Sequence, residues 1–178
     1  VLSLSAEELR GALARLPDFA LMLMSVMFDR LRFIAARLAA RNAAISARQH
    51  EGAVFDPALL GQLEIALVRP VITRFPQGAS IMREGQAGAC AYIVKGGRVA
   101  ISIRNNVVEA VNAGGTFGEM ALVDQSPRTA SATADTDCEL LVLDRPSLLE
   151  ALKQQPAFAM AMMRSIADRL RYMNSQLG

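Results

Sequence analysis

At 178 residues, with 52% hydrophobic and 20% charged side chains, the chain can bury one sizeable core and is not intrinsically disordered. Its net charge of +2, from 19 Lys and Arg against 17 Asp and Glu, excludes the dense basic field of a general nucleic-acid binder. The longest strongly apolar run, residues 19–28 between Asp18 and Asp29, is about half of the roughly 20 residues that cross a bilayer, so no membrane span is expected.

In chain order, residues 1–44 have apolar side chains every three or four positions, the period of amphipathic helices. Ser5 is placed to cap a short first helix carrying Leu9 and Leu13, and Pro17 opens a long second one. Residues 45–69 read as a linker and a helix, with the single histidine, His50, in the linker. Residues 70–144 change to short β-branched runs broken by Gly, Asn and Asp, with strands expected at Val71–Phe75, Ser80–Arg83, Ala91–Lys95, Arg98–Ile103, Val107–Asn112, Thr129–Ala134 and Cys138–Leu143. Gly96-Gly97 and Asn105-Asn106 tolerate the positive φ of tight hairpins, while Pro76-Gln77-Gly78 and Glu84-Gly85 mark turns. The spacing is that of an antiparallel β-roll or jelly roll of about eight strands, an α+β fold with a mainly β core. Helical periodicity returns over residues 145–178. Cys90 and Cys138 stand far apart in the chain and form no CxxC pair; they are read as reduced, buried thiols of a cytoplasmic protein.

The chain repeats itself. Aligned without gaps so that Pro17 falls on Pro156, the segments Pro17–Phe33 and Pro156–Tyr172 share eight identities in seventeen positions. The stripe of Phe19, Leu23, Met27, Leu31, Ile34 and Leu38 matches Phe158, Met162, Ile166, Leu170, Met173 and Leu177, one helical face in each segment. Upstream, in the same alignment, Leu4-Ser5 matches Leu143-Asp144, and Leu9 and Leu13 match Leu148 and Leu152. Residues 1–44 therefore look like the closing helices of a domain whose sheet is not in this chain. Their apolar stripe requires a cover, which points to packing on the second helix pair or to a homodimer.

Chemistry concentrates in residues 114–133. A short helix from Glu119 to Val123 is expected to interrupt the strands, and Gly118 before it lets a ligand approach the backbone. The first-turn amides favour an anion, and the guanidinium of Arg128 matches two phosphate oxygens. Glu119, an acceptor-only carboxylate, suits a sugar hydroxyl. Together these groups describe a site for a sugar phosphate. Their plainer reading is a structural ion pair between Glu119 and a surface Arg128.

Phe117-Gly118-Glu119-Met120-Ala121-Leu122 and Pro127-Arg128-Thr129-Ala130 resemble the phosphate-binding cassette of the cyclic nucleotide-binding domain family. That family is shared by catabolite-activator-type regulators, kinase regulatory subunits and nucleotide-gated channels. Phe75-Pro76-Gln77-Gly78, Arg83-Glu84-Gly85 and Tyr92 to Val99 resemble its opening turns. The resemblance implies that Glu119 accepts from the ribose 2′-hydroxyl and Arg128 holds the exocyclic phosphate oxygens, helped by amides near Ala121. It also places Thr129 by the phosphate or purine, and makes the last helix a lid with Arg169, Tyr172 or Met173 at the base. The implied ligand is cAMP ahead of cGMP, bound without catalysis. The alternative function is a ligand-independent structural or dimerisation module. His50 alone offers no Ser/His, Cys/His or zinc constellation. No helix-turn-helix follows the lid helix and the first residue is Val, so the chain reads as a regulatory segment of a longer polypeptide that does not itself read DNA.

Overall fold

The computed structural model describes residue 3 and residues 5–40, 48–49, 55–67 and 69–176; His50 lies outside these. Two helices open the chain, α1 (Ala6–Arg15) and α2 (Pro17–Ala40). A two-residue strand β1 (Arg48–Gln49) and helix α3 (Pro57–Ala66) follow, the latter started by Asp56, whose carboxylate accepts from Leu59 N, and by Pro57. Eight antiparallel strands then form the roll: β2 (Val71–Phe75), β3 (Ser80–Met82), β4 (Cys90–Gly96), β5 (Arg98–Ile103), β6 (Asn106–Asn112), β7 (Thr116–Phe117), β8 (Ser131–Ala134) and β9 (Cys138–Asp144). Helix α4 (Glu119–Asp124) interrupts them between β7 and β8, and α5 (Arg145–Gln154) and α6 (Pro156–Ser175) end the described chain.

The strands make two sheets, in the orders β1-β6-β5-β8-β3 and β2-β9-β4-β7, with β1 joining β6 in parallel. Period-2 alternation divides the core in two. Val94 and Leu140 turn inward with Val99, Val111, Phe117 and Ala132 to fill the roll. Their neighbours Ile93 and Leu141 turn outward to join Phe28, Phe55, Leu148 and Phe158 in a helical core, where Phe55 stacks on Phe158 with ring centroids 5.2 Å apart. The β2-β9-β4-β7 sheet is therefore apolar on both faces, which is why β4 and β9 read as nearly continuous apolar runs.

Three local expectations need correcting. Strand β8 begins at Ser131, so Thr129 precedes it. The β5–β6 hairpin turns on Arg104 and Asn105, at φ 49° and 67°, one residue earlier than Asn105-Asn106, because β6 pairing already starts with Asn106 opposite Ile103. Strands β1 and β7, two residues each, are too short to carry a period. At the β4–β5 turn Gly97 has φ +84°, and a Cβ there would lie 2.2 Å from the Asp137 carbonyl oxygen. Gly97→Ala is expected to cost about 1 to 3 kcal/mol, measured by denaturant unfolding.

Both cysteines are free thiols, with Cys138 buried and Cys90 half-buried. Among the described residues no helix is long and apolar enough to cross a membrane.

The two helix pairs correspond in detail. Ser5 accepts from Glu8 N as Asp144 accepts from Ser147 N, in the same relative position. The linking residues Leu16 and Gln155, equivalent in the repeat, share one backbone conformation, φ −131° ψ 82° against φ −129° ψ 84°. In packing they differ. Helix α2 lies on α6, α4, α5 and α1, and its fully buried line is Ala20, Met24, Phe28 and Leu31. Of the expected stripe, Leu31 lies on this line, Phe19, Leu23 and Met27 sit at the flank of the helical core, only partly buried, Ile34 is half-buried, and the Leu38 side chain lies outside the described residues. The reason is that α2 packs on other helices, α6 and α4 above all, and turns the Ala20, Met24 and Phe28 line toward them. Met22, Val26 and Phe33 are left exposed on α2.

Candidate functional site

Chain geometry at the cassette follows from Gly118. Its φ of +78° caps α4 in a left-handed conformation, and a Cβ there would lie 2.8 Å from Arg128 Nη1. Gly88 is more tightly confined, since a Cβ on it would meet Arg128 Nε at 2.6 Å and the Ala121 Cβ at 2.8 Å. The Arg128 guanidinium thus lies in a slot that glycines keep open. Its backbone is pinned as well: Arg128 N donates to Gln86 O and its carbonyl accepts from Gly85 N, both at 2.8 Å.

Arg128 is 6% exposed. Its Nη1 donates to Gly118 O and its Nη2 to Cys90 O, each at 2.7 Å, with Cys90 Sγ at 3.8 Å. Among the described residues it forms no ion pair with a carboxylate. A buried cation held by carbonyl dipoles, with N–H donors in hand, is a site for an anion.

Glu119 is 1% exposed, and its partner is not Arg128, which removes the plain ion-pair reading of the two. Arg169 of α6 donates from Nη1 to Glu119 Oε1 and from Nη2 to the Thr116 carbonyl, while its Nε lies 3.3 Å from Glu109. Burial works against the Arg169 charge, but the carboxylates of Glu109 and Glu119 outweigh it and raise its pKa. The second Glu119 oxygen, Oε2, is buried with no hydrogen-bond partner. A carboxylate oxygen in that state lacks a donor such as a hydroxyl would supply.

These groups surround a cavity of about 350 Å³, within the range of about 300 to 1,000 Å³ typical of small-molecule sites. Phe117, Gly118, Glu119, Met120, Ala121, Arg128, Thr129 and Ala130 all line it, as do Arg169, Tyr172 and Met173 of α6. Leu122 does not; it is buried in the helical core. Thr129 is exposed, with Oγ1 3.6 Å from Met120 Sδ. Among the lining residues that sequence reasoning missed are Glu109 and others of the roll, such as Arg104 and Ile101, and four from α2, namely Leu31, Arg32, Ala35 and Ala36. No motif announces them, because the α2 residues reach the cavity through helix packing and Glu109 through the placement of β6 in the sheet. Cassette and helices are also tied mechanically: Arg145, the first residue of α5, donates to Leu122 O at 3.0 Å and Val123 O at 2.9 Å.

Residues 72–155 match the family model of the cyclic nucleotide-binding domain. The chain is 32% identical over 108 residues to the CRP-like cAMP-activated global transcriptional regulator of Mycobacterium tuberculosis, covering 58% of this chain and 48% of that one. It is 38% identical over 105 residues to a cGMP-dependent protein kinase of Eimeria tenella, covering 50% of this chain and 10% of the kinase. Among solved structures, the Thermus thermophilus catabolite activator protein superposes with a TM-score of 0.60 at 30% identity, over 70% of this chain and 61% of that one. The chain spans about half the length of the mycobacterial regulator, and less of the kinase. With its roll and cassette, it belongs to the cyclic nucleotide-binding domain family and carries a regulatory, cyclic nucleotide-binding domain.

Proposed function

We propose that this domain binds cAMP, ahead of cGMP, and passes occupancy on as a change in helix position. One observation carries the reading: the buried Arg128 guanidinium has no carboxylate partner among the described residues and lines a cavity together with Glu119, whose Oε2 has no hydrogen-bond partner. A cyclic nucleotide fits both, its phosphate on Arg128 and a ribose hydroxyl on Oε2. The ranking of bases is supported by the relative with the larger share of its length matched, described as cAMP-activated, over the kinase described as cGMP-dependent. No bond is made or broken in this function. Arg169 links α6 to Glu119 and Arg145 links α5 to α4, so a ligand that settles the cassette favours one placement of both helices, by its difference in affinity for the two placements.

The test is calorimetric titration of the chain with cAMP and with cGMP, repeated on Thr129→Ala. cAMP is expected to bind more tightly, and Thr129→Ala to weaken both nucleotides alike, by about 5- to 10-fold for one hydrogen bond. A selective loss of cGMP would put Thr129 on the guanine and reverse the ranking.

Residues 1–44 we assign to the closing helices of a preceding domain of the same family. The matched caps support this, and so does the open face of α2. Met22, Val26, Arg30 and Phe33 are exposed, whereas of their equivalents in the repeat Ala161 and Ser165 are buried and Arg169 and Tyr172 line the cavity. Arg30 thus stands where a lid arginine of a preceding roll would stand. The homodimer read from the sequence uses the stripe that carries Leu23 and Met27 instead, and sedimentation of the chain distinguishes it from a monomer.

A further inference from the structure

Helix α2 lies outside the roll, yet Leu31, Arg32, Ala35 and Ala36 form part of the cavity wall, alongside Tyr172 and Met173 of α6. At this level α2 carries the methyl side chains of Ala35 and Ala36 where the repeat puts Asn174 and Ser175 on α6; the alanines leave volume between the helices for a ligand. One polar cluster fixes α2 here. Arg32 Nη2 donates to the Asp124 carboxylate and, at 2.7 Å, to Ser126 Oγ, while Nη1 reaches Asp29 at 3.1 Å.

The three contacts are unequal. Asp29 is 71% exposed and one turn away on the same helix, a pair of small worth. Asp124 is 16% exposed, ends α4 and lies in a different part of the fold. Ser126 N donates to Asp124 Oδ1 at 3.1 Å, so the acceptor is held in place before Arg32 arrives. Burial pushes the Asp124 carboxyl up, but bonds from Ser126 and Arg32 outweigh it and hold its pKa below the usual aspartate value. The same α4 is gripped by Arg145 of α5. Each helix pair therefore sends one arginine to the cassette helix.

We propose that α2 is a working wall of the nucleotide site, and that the Arg32 latch to Asp124 and Ser126 holds it over the bound nucleotide and slows release. This rests on the cyclic nucleotide reading of the cavity. Linkage gives the converse: whatever draws α2 away from the cassette lowers nucleotide affinity by the same factor by which nucleotide opposes that movement. The segment upstream of the roll is thereby both sensor and brake.

The experiment follows displacement of a fluorescent cAMP analogue from the whole chain by stopped flow, with thermal unfolding of each nucleotide-free variant beside it. Arg32→Ala and Asp124→Asn are expected to speed release about 5- to 20-fold, with association changed less than about threefold. A purely structural role would instead lower the unfolding temperature and leave the release rate of the folded fraction alone. Should Arg32→Ala fail to fold, Ala35→Leu serves, since a larger side chain on this wall intrudes on the ligand and weakens binding about tenfold or more. Wild-type release from every foldable variant, with Arg128→Ala still losing nucleotide, would overturn the latch and leave the nucleotide site standing. A wild-type chain that binds neither cAMP nor cGMP would remove the nucleotide reading itself, and the latch with it.

Discussion

Arg128→Ala is expected to weaken cAMP binding by about 30-fold to several thousand-fold, the range that corresponds to losing one partner of a buried charge-assisted contact at about 2 to 5 kcal/mol. The large effect follows from burial. Arg128 is 6% exposed, so its charge is screened weakly by solvent, and the low local dielectric strengthens its hold on a phosphate. Of the three other arginines of the cavity wall, Arg32, Arg104 and Arg169, two are already committed: Arg169 to Glu109 and Glu119, and Arg32 to Asp124. The variant also strands the Gly118 and Cys90 carbonyls that Arg128 now satisfies, which lowers stability without nucleotide. Arg128→Lys separates the two effects. It keeps the charge but cannot serve two carbonyls and a phosphate from one planar fork, so it should recover part of the affinity and not all of it. Calorimetry that finds Arg128→Ala binding cAMP as the wild type does would remove the phosphate role.

Arg169→Ala has the second largest expected effect, and it falls on stability before affinity. Glu119 is 1% exposed and Arg169 is its counter-charge; removing the cation leaves a carboxylate in the interior with Oε2 already unpartnered. Breaking such a pair from one side typically costs about 3 to 5 kcal/mol, and with the Arg169 side chain 12% exposed we expect about 2 to 4 kcal/mol. Denaturant unfolding of a double-mutant cycle checks it: adding Glu119→Gln should restore more than half of the loss, because an amide is far cheaper to bury than a lone carboxylate. Additive losses would mean that Arg169 stabilises through Glu109 and Thr116 alone. In the function proposed above, this pair is also the link between α6 and the residue assigned to the ribose.

Strand positions in the roll are legible in the sequence because each strand is an alternating run that ends at a turn residue. Val71–Phe75 and Arg98–Ile103 stand in the structure with those bounds. Thr129 is assigned wrongly to β8 by the same reasoning, because a β-branched residue in a run of Ala, Ser and Thr carries no sign of where hydrogen bonding to β3 and β5 begins. The cassette is legible as a motif, and Arg128 and Glu119 with it, because Phe117 to Leu122 and Pro127 to Ala130 resemble the family's phosphate-binding cassette.

What the sequence by itself determined was local: the strand periods, the capped helix starts at Ser5 and Asp144, the repeat that sets Pro17 on Pro156, and which side chains carry charge in the cassette. Only the tertiary structure decided who meets whom. It paired Arg169 of α6 with Glu119, turned α2 so that Ala20, Met24 and Phe28 are buried ahead of Phe19, Leu23 and Met27 of the stripe, and brought Arg32 of α2 to Asp124 at the far end of the cassette helix. The reason is that periodicity specifies which face of an element is apolar, whereas the angle at which that face is covered, and the polar side chains that meet at its edge, depend on neighbours remote in sequence.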